Sequence, residues 1–138
     1  MSRAFWMVVV MALSSVGSAK STIRVEAMTI DELSVRNLSC QIDNGGFMAV
    51  MQVVGTLSKQ KKALDACAPG GAAVRAKWTW SGGKATTVQV TQSSRPEAAR
   101  CVEKALKLTE SALVGDCQAM ILIGEGKAAA TAADALPK

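Results

Sequence analysis

Four cysteines, Cys40, Cys67, Cys101 and Cys117, constrain this chain more than any other feature of its sequence. Their meaning depends on what precedes them. Met1 to Ala19 reads as a secretory signal peptide: Arg3 supplies a positive start, Ala4 to Leu13 is apolar, and Gly17 and Ala19 are small residues just before Lys20. Those ten apolar residues would span about 15 Å as a helix, half of a hydrocarbon core, which favours a cleaved leader over an uncleaved anchor. No cysteine follows the expected cleavage point, so a lipid anchor there is not expected. The expectation is an exported protein, periplasmic or extracellular, with no stable membrane span. An even number of cysteines in a small exported domain predicts disulfides, here two among three possible pairings. None lies in a CxxC pair, so neither a thioredoxin-like redox site nor a zinc ribbon is expected.

Composition narrows the function classes further. With 138 residues there is room for one small domain, and the 49% apolar content argues against wholesale disorder. The chain has no histidine, which removes Ser-His-Asp and Cys-His nucleophiles, a histidine base and every histidine-containing zinc site. The net charge is +5; the leader takes one of the 16 basic residues and none of the 11 acidic ones, leaving +4. After the leader only Phe47, Trp78 and Trp80 remain as aromatics, too few for a platform on which nucleic-acid bases stack. No nucleic acid, cofactor or metal is expected.

Hydrophobic periodicity places the elements. Residues 20–33 form a mixed lead-in segment with at most a short strand. Leu38, Cys40 and Ile42 alternate with polar residues and predict a strand over Ser34–Ile42, ended by the Asp43–Gly46 turn cluster. Phe47–Cys67 reads as one helix, with Val50, Val54, Leu57, Leu64 and Cys67 on a common face that Lys61 interrupts. Val74–Trp80 and Lys84–Thr91 alternate as a β-hairpin. A three-residue Ser81–Gly83 loop would pair Ala76 with Val88 and Val74 with Val90, giving one apolar face. Ser94-Arg95-Pro96-Glu97 fits a capping box opening a second helix, whose face is Ala98, Cys101, Val102, Ala105 and Leu106. Ala119–Ile123 is a final strand and residues 126–138 a flexible tail. The domain is thus expected over residues 34–125 as an α+β fold: a β-α-β-β-α-β antiparallel sheet with two helices on one face, stapled by disulfides.

That topology ranks the pairings. Cys40 and Cys117 fall at one end of the sheet and Cys67 and Cys101 at the other, and bridged Cα atoms must lie within roughly 7 Å. Cys40–Cys117 and Cys67–Cys101 are therefore the expected bonds, as structural rivets.

The stretch VRAKWTWSGGKATTVQVTQSSRPEAARCVEKAL, Val74 to Leu106, resembles the TonB C-terminal and AgmX/PglI C-terminal type of module: a strand, a glycine turn, a strand, a Ser-Ser step and an alanine-rich helix. It covers about a quarter of the chain. No proline-rich periplasm-spanning linker accompanies it, so energy transduction is not carried over. The resemblance implies a bacterial cell-envelope or secreted module able to accept a partner strand at a sheet edge. The carboxylates fall mainly at turns, caps and exposed helix positions, so no catalytic set stands out and an enzyme is not expected. The expected function is binding of another envelope or extracellular protein, with a homodimer as one option. Arg75, Lys77, Phe47, Met48 and Met51 are the candidate contact residues. The alternative is a small-ligand carrier with a pocket between the sheet and the first helix.

Overall fold

The computed structural model describes residues 20–43 and 48–137, so the expected signal peptide and Phe47 lie outside the described residues. The elements are β1 (Lys20–Ile30), β2 (Leu33–Asp43), α1 (Ala49–Ser58), α2 (Lys61–Cys67), β3 (Ala72–Ser81), β4 (Lys84–Ser93), α3 (Ala98–Lys107), β5 (Gly115–Ile123) and α4 (Gly126–Ala135). The five strands form one antiparallel sheet in the order β1-β2-β5-β3-β4, an α+β architecture. Two hairpins, β1–β2 and β3–β4, thus flank a central strand, β5, the last strand in sequence.

The lead-in segment is a full strand. Lys20 to Ile30 pairs along its length with β2, from Lys20 opposite Asp43 to Ile30 opposite Leu33. Its apolar pattern is split: Ile23 and Val25 face the core before Glu26, and Met28 and Ile30 after it, matching Cys40, Leu38, Val35 and Leu33 across the ladder. β2 carries the corresponding irregularity, with Asn37 at φ 54° and a register shift against β5 between Arg36 and Ser39. One extra residue lets Leu33 and Val35 on one side, and Leu38, Cys40 and Ile42 on the other, all point inward.

The first expected helix is two. It breaks at Lys59–Gln60, in the polar stretch where Lys61 interrupts the apolar face. Val53, Val54 and Leu57 of α1 and Leu64 of α2 are fully buried, while Val50 is only half-buried. The break turns α2 so that Cys67 reaches α3 and bonds Cys101, with Cα atoms 5.5 Å apart. Cys40 bonds Cys117 across β2 and β5. Both expected pairings are the ones formed.

The β3–β4 hairpin has one apolar face, but not through the expected loop. Ser81 pairs with Lys84 across a two-residue turn, Gly82–Gly83, and Trp80 pairs with Ala85. Both glycines have positive φ, as a hairpin turn of matching twist requires. Thr86 is then an extra residue, so Trp78 meets Val88 and Ala76 meets Val90. A bulge in β4 does what a longer loop was expected to do. The capping box is not formed either: α3 starts at Ala98 without a side-chain cap, and the Ser94 hydroxyl instead accepts from the Ala73 N–H at 3.0 Å.

The main core lies between the sheet and α1, α2 and α3. Trp78 and Trp80 stack edge-to-face in it, 5.7 Å between centroids, and Trp80 Nε1 donates to Thr109 Oγ1 at 3.0 Å. The expected flexible tail contains α4, whose Ala133 packs on Ala73 and Met120 on the opposite face of the sheet. Asp65 locks this corner by accepting the Gly124 N–H at 2.9 Å. Gly124 has φ 75°, and a Cβ there would stand 2.0 Å from the Ala68 carbonyl oxygen, so no other residue fits.

Candidate functional site

The two edges of the sheet are treated differently. Along β4, Glu103 of α3 reaches the strand and accepts the Val90 N–H at 2.9 Å. Glu110 forms a bridge with Lys84, and the Ser111 N–H donates to the Gly83 carbonyl at 3.2 Å. Side chain and backbone from α3 and the segment after it thus engage that edge at Val90 and at its Lys84 end. Along β1, among the described residues, the backbone is hydrogen-bonded to β2 alone.

The direction of the unpaired β1 groups follows from the ladder. Opposed residues in antiparallel strands alternate between close pairs that exchange no backbone hydrogen bonds and wider pairs that exchange two. Cys40 and Cys117 have Cα atoms 4.1 Å apart and are a close pair. The Cys40 N–H and C=O therefore point the other way, toward Ile23 of β1. Core-facing residues of β1 spend their peptide groups on β2, and the solvent-facing ones, Thr22, Arg24, Ala27 and Thr29, direct theirs outward. An eleven-residue strand with such a row is a template for another strand. Val25, Met28 and Ile30 beside it are only half-buried against the core.

The face of the sheet away from α1–α3 is polar where α4 leaves it uncovered. Two rows cross all five strands: Thr22, Gln41, Asp116, Thr79, Thr87, and Arg24, Ser39, Gln118, Lys77, Gln89. A concavity of about 370 Å³ opens among Ser39, Gln41, Lys77, Thr79, Thr87, Asp116 and Gln118. Asp116 is engaged there, accepting from the Thr79 hydroxyl at 2.6 Å. At the α4 end Arg36 pairs with Asp134 at 2.7 Å.

The sequence-derived contact residues do not form one patch. Arg75 and Lys77 share the polar face, Arg75 near Arg36 and Asp134 and Lys77 at the concavity. Met48 and Met51 are 59% and 49% exposed at α1, in the layer on the other side of the sheet. The β1 edge was missed in the sequence. Its signal was the Ile23, Val25, Met28, Ile30 series, which reads as a strand once one irregular residue is allowed.

Five of the eleven carboxylates have structural work, Asp134 through its pair with Arg36 and four others. Asp65 holds Gly124, Glu103 holds Val90, Asp116 holds Thr79, and Glu125 caps α4. The Ala128 and Lys127 N–H groups on Glu125 favour its charged form and lower its pKa below the ordinary glutamate value. Among the described residues no cluster of three or more Cys, Asp or Glu is placed to hold a metal ion, and no helix is long and apolar enough to cross a membrane. Compared with protein-family models, with curated proteins and with solved structures, the chain has no match.

Proposed function

We propose that the chain is a non-catalytic, exported binding module that takes an extended segment of another exported protein as a sixth strand on β1. One observation carries this reading: β4 is engaged at Val90 by Glu103 and at Lys84 by Glu110, while β1 presents the backbone of Thr22, Arg24, Ala27 and Thr29. Backbone groups on such an edge supply affinity, and the side chains flanking them supply selectivity. The two disulfides support an exported location, since they persist in oxidising compartments.

The test is Ala27→Pro, which removes an outward N–H and leaves the β2 side of the ladder intact. Wild-type protein is expected to retain an envelope or extracellular partner that Ala27→Pro loses, with β1 amides protected from exchange in the complex. Equal retention by both would overturn the reading.

A second reading, a carrier of a small polar ligand, is favoured by the concavity at Lys77, Asp116 and Gln118. It moves the pocket from the expected place beneath α1, where Val53, Val54, Leu57 and Trp80 are fully buried, to the opposite face.

A further inference from the structure

We infer that the strand received by β1 is β1 of a second copy, so that two sheets join into one across a two-fold axis. This rests on the reading of β1 as a docking edge and names its occupant. The strand is complementary to itself in an antiparallel alignment that matches its faces and also pairs its charges. Laid antiparallel on its own copy, it can set Thr22 opposite Thr29 and Arg24 opposite Ala27, all four of which face solvent and direct their peptide groups outward. The same alignment sets Ile23 opposite Met28 and Ser21 opposite Ile30, all on the core side of the strand. Val25 and Glu26, where the pattern is irregular, fall at the axis. A shift of one residue either way opposes core-facing to solvent-facing residues, which the pleat forbids.

Charge agrees with this alignment. Arg24 and Glu26 are the charges in the middle of β1, and both are exposed. On the two-fold axis Arg24 of each copy lies beside Glu26 of the other, giving two opposite-charge contacts, and Lys20 runs toward Asp31. The half-buried Met28 acquires Ile23 of the partner as a directly opposed apolar neighbour at the same time, with Ile30 on the diagonal to it.

The experiment uses the exported chain with its disulfides formed. Sedimentation is expected to show a concentration-dependent dimer that Ala27→Pro abolishes. Arg24→Glu should weaken it about tenfold, as like charges replace the cross-strand pairs, and Arg24→Glu with Glu26→Arg should restore it. Mixing Thr22→Cys and Thr29→Cys chains should yield an oxidised heterodimer that neither gives alone, a readout specific to this alignment. Circular dichroism checks that each variant is folded. A folded monomer at every accessible concentration would overturn the dimer, as would a dimer indifferent to Ala27→Pro and to the charge exchange. If such a monomer still loses an extended partner on Ala27→Pro, the docking edge stands and only its occupant was wrong. If Ala27→Pro changes nothing at all, both readings fall.

Discussion

The two hairpins that flank β5 are built alike and held differently. Each turns through two residues with positive φ, and each carries an irregularity that realigns its apolar side chains. In β3–β4 the turn is Gly82–Gly83, for which that conformation is easy; in β1–β2 it is Asp31–Glu32, for which it costs about 1 kcal/mol or more per residue. The outer strand of one is engaged by Glu103 at Val90 and by Glu110 at Lys84, and that of the other makes no backbone hydrogen bond beyond β2 among the described residues. The Gly–Gly hairpin is thus specified locally and engaged at its edge. The Asp–Glu hairpin depends on distant partners: Cys117 on Cys40, Asp134 on Arg36, and α1 on its core face. The proposed docking strand belongs to the hairpin with the weaker local design, and that pattern is expected where sequence serves something besides folding.

The largest effect should come from cutting that distant support. Cys40→Ala with Cys117→Ala removes a bond between residues 77 apart, which in the chain-entropy picture stabilises by about 4 to 5 kcal/mol. That is a large share of a small domain's total stability. Denaturant unfolding should show the loss, and amide exchange should accelerate in β1 and β2 before β3 and β4. Uniform acceleration would dissolve the distinction between the hairpins. Cys67–Cys101 has a half-buried and an exposed cysteine, whereas Cys40 and Cys117 are 1% and 3% exposed. Mild reductant should therefore open the helix–helix bond first, with β1–β2 unaffected; peptide mapping of alkylated thiols reads the order.

Next comes the β4 edge. Glu103→Ala leaves the Val90 N–H without its carboxylate and is expected to cost about 1.5 kcal/mol. Exchange at Val90 should rise while exchange in β1 stays the same. If the β1 docking reading is right, this variant gains a second open edge and a stronger tendency to associate through β4, visible as species larger than the wild type forms. A variant that is neither destabilised nor more associative would mean that Glu103 is incidental to the edge.

The same contrast explains what was legible in the sequence. The β3–β4 hairpin was readable because its turn is Gly82–Gly83 and its strands alternate. Its register was not, because the Thr86 bulge has no composition of its own. The β1 strand was obscured by Glu26, which breaks the alternation, and by Asp31–Glu32, which lacks the usual turn residues. The helix break at Lys59–Gln60 did leave a trace, as Lys61 out of step with the apolar face. α4 left little, because an alanine-rich segment buries only a small area, through Ala129 and Ala133, and its place was fixed by Ala73 and Met120. The disulfides were readable because they depend on which end of the sheet each cysteine reaches, and the errors in element length did not change that. The docking edge was not, since an edge is defined by which neighbours are missing, a property of strand order.

A smaller effect is expected from exchanging the turns' chemistry. Glu32→Gly relieves one left-handed residue and should stabilise the chain by about 1 kcal/mol. Gly83→Ala imposes the corresponding strain on the other hairpin and should cost about as much. If Glu32→Gly is neutral or harmful, the β1–β2 turn is held by interactions beyond its own backbone preference, and the contrast between locally and distantly specified hairpins weakens.

The smallest effect concerns α4, which packs on β3 and β5 and reaches β2 through Arg36 and Asp134. Its exposed cap, Glu125, has a lowered pKa because two backbone N–H groups favour the carboxylate. A depressed carboxyl contributes its stabilisation fully above the ordinary glutamate pKa and loses it as pH falls through the lowered folded value. Exchange in α4, corrected for the intrinsic pH dependence of amide exchange, should therefore rise on the acid side of that range. Glu125→Gln should flatten the dependence, because its amide accepts hydrogen bonds without titrating. If the Arg36–Asp134 pair couples α4 to the first hairpin, β2 amides should follow α4 while β4 amides, held by Glu103 on the far edge, should not. Equal acid response in β2 and β4 would place the two hairpins in one cooperative unit and remove the physical basis for treating their edges as different.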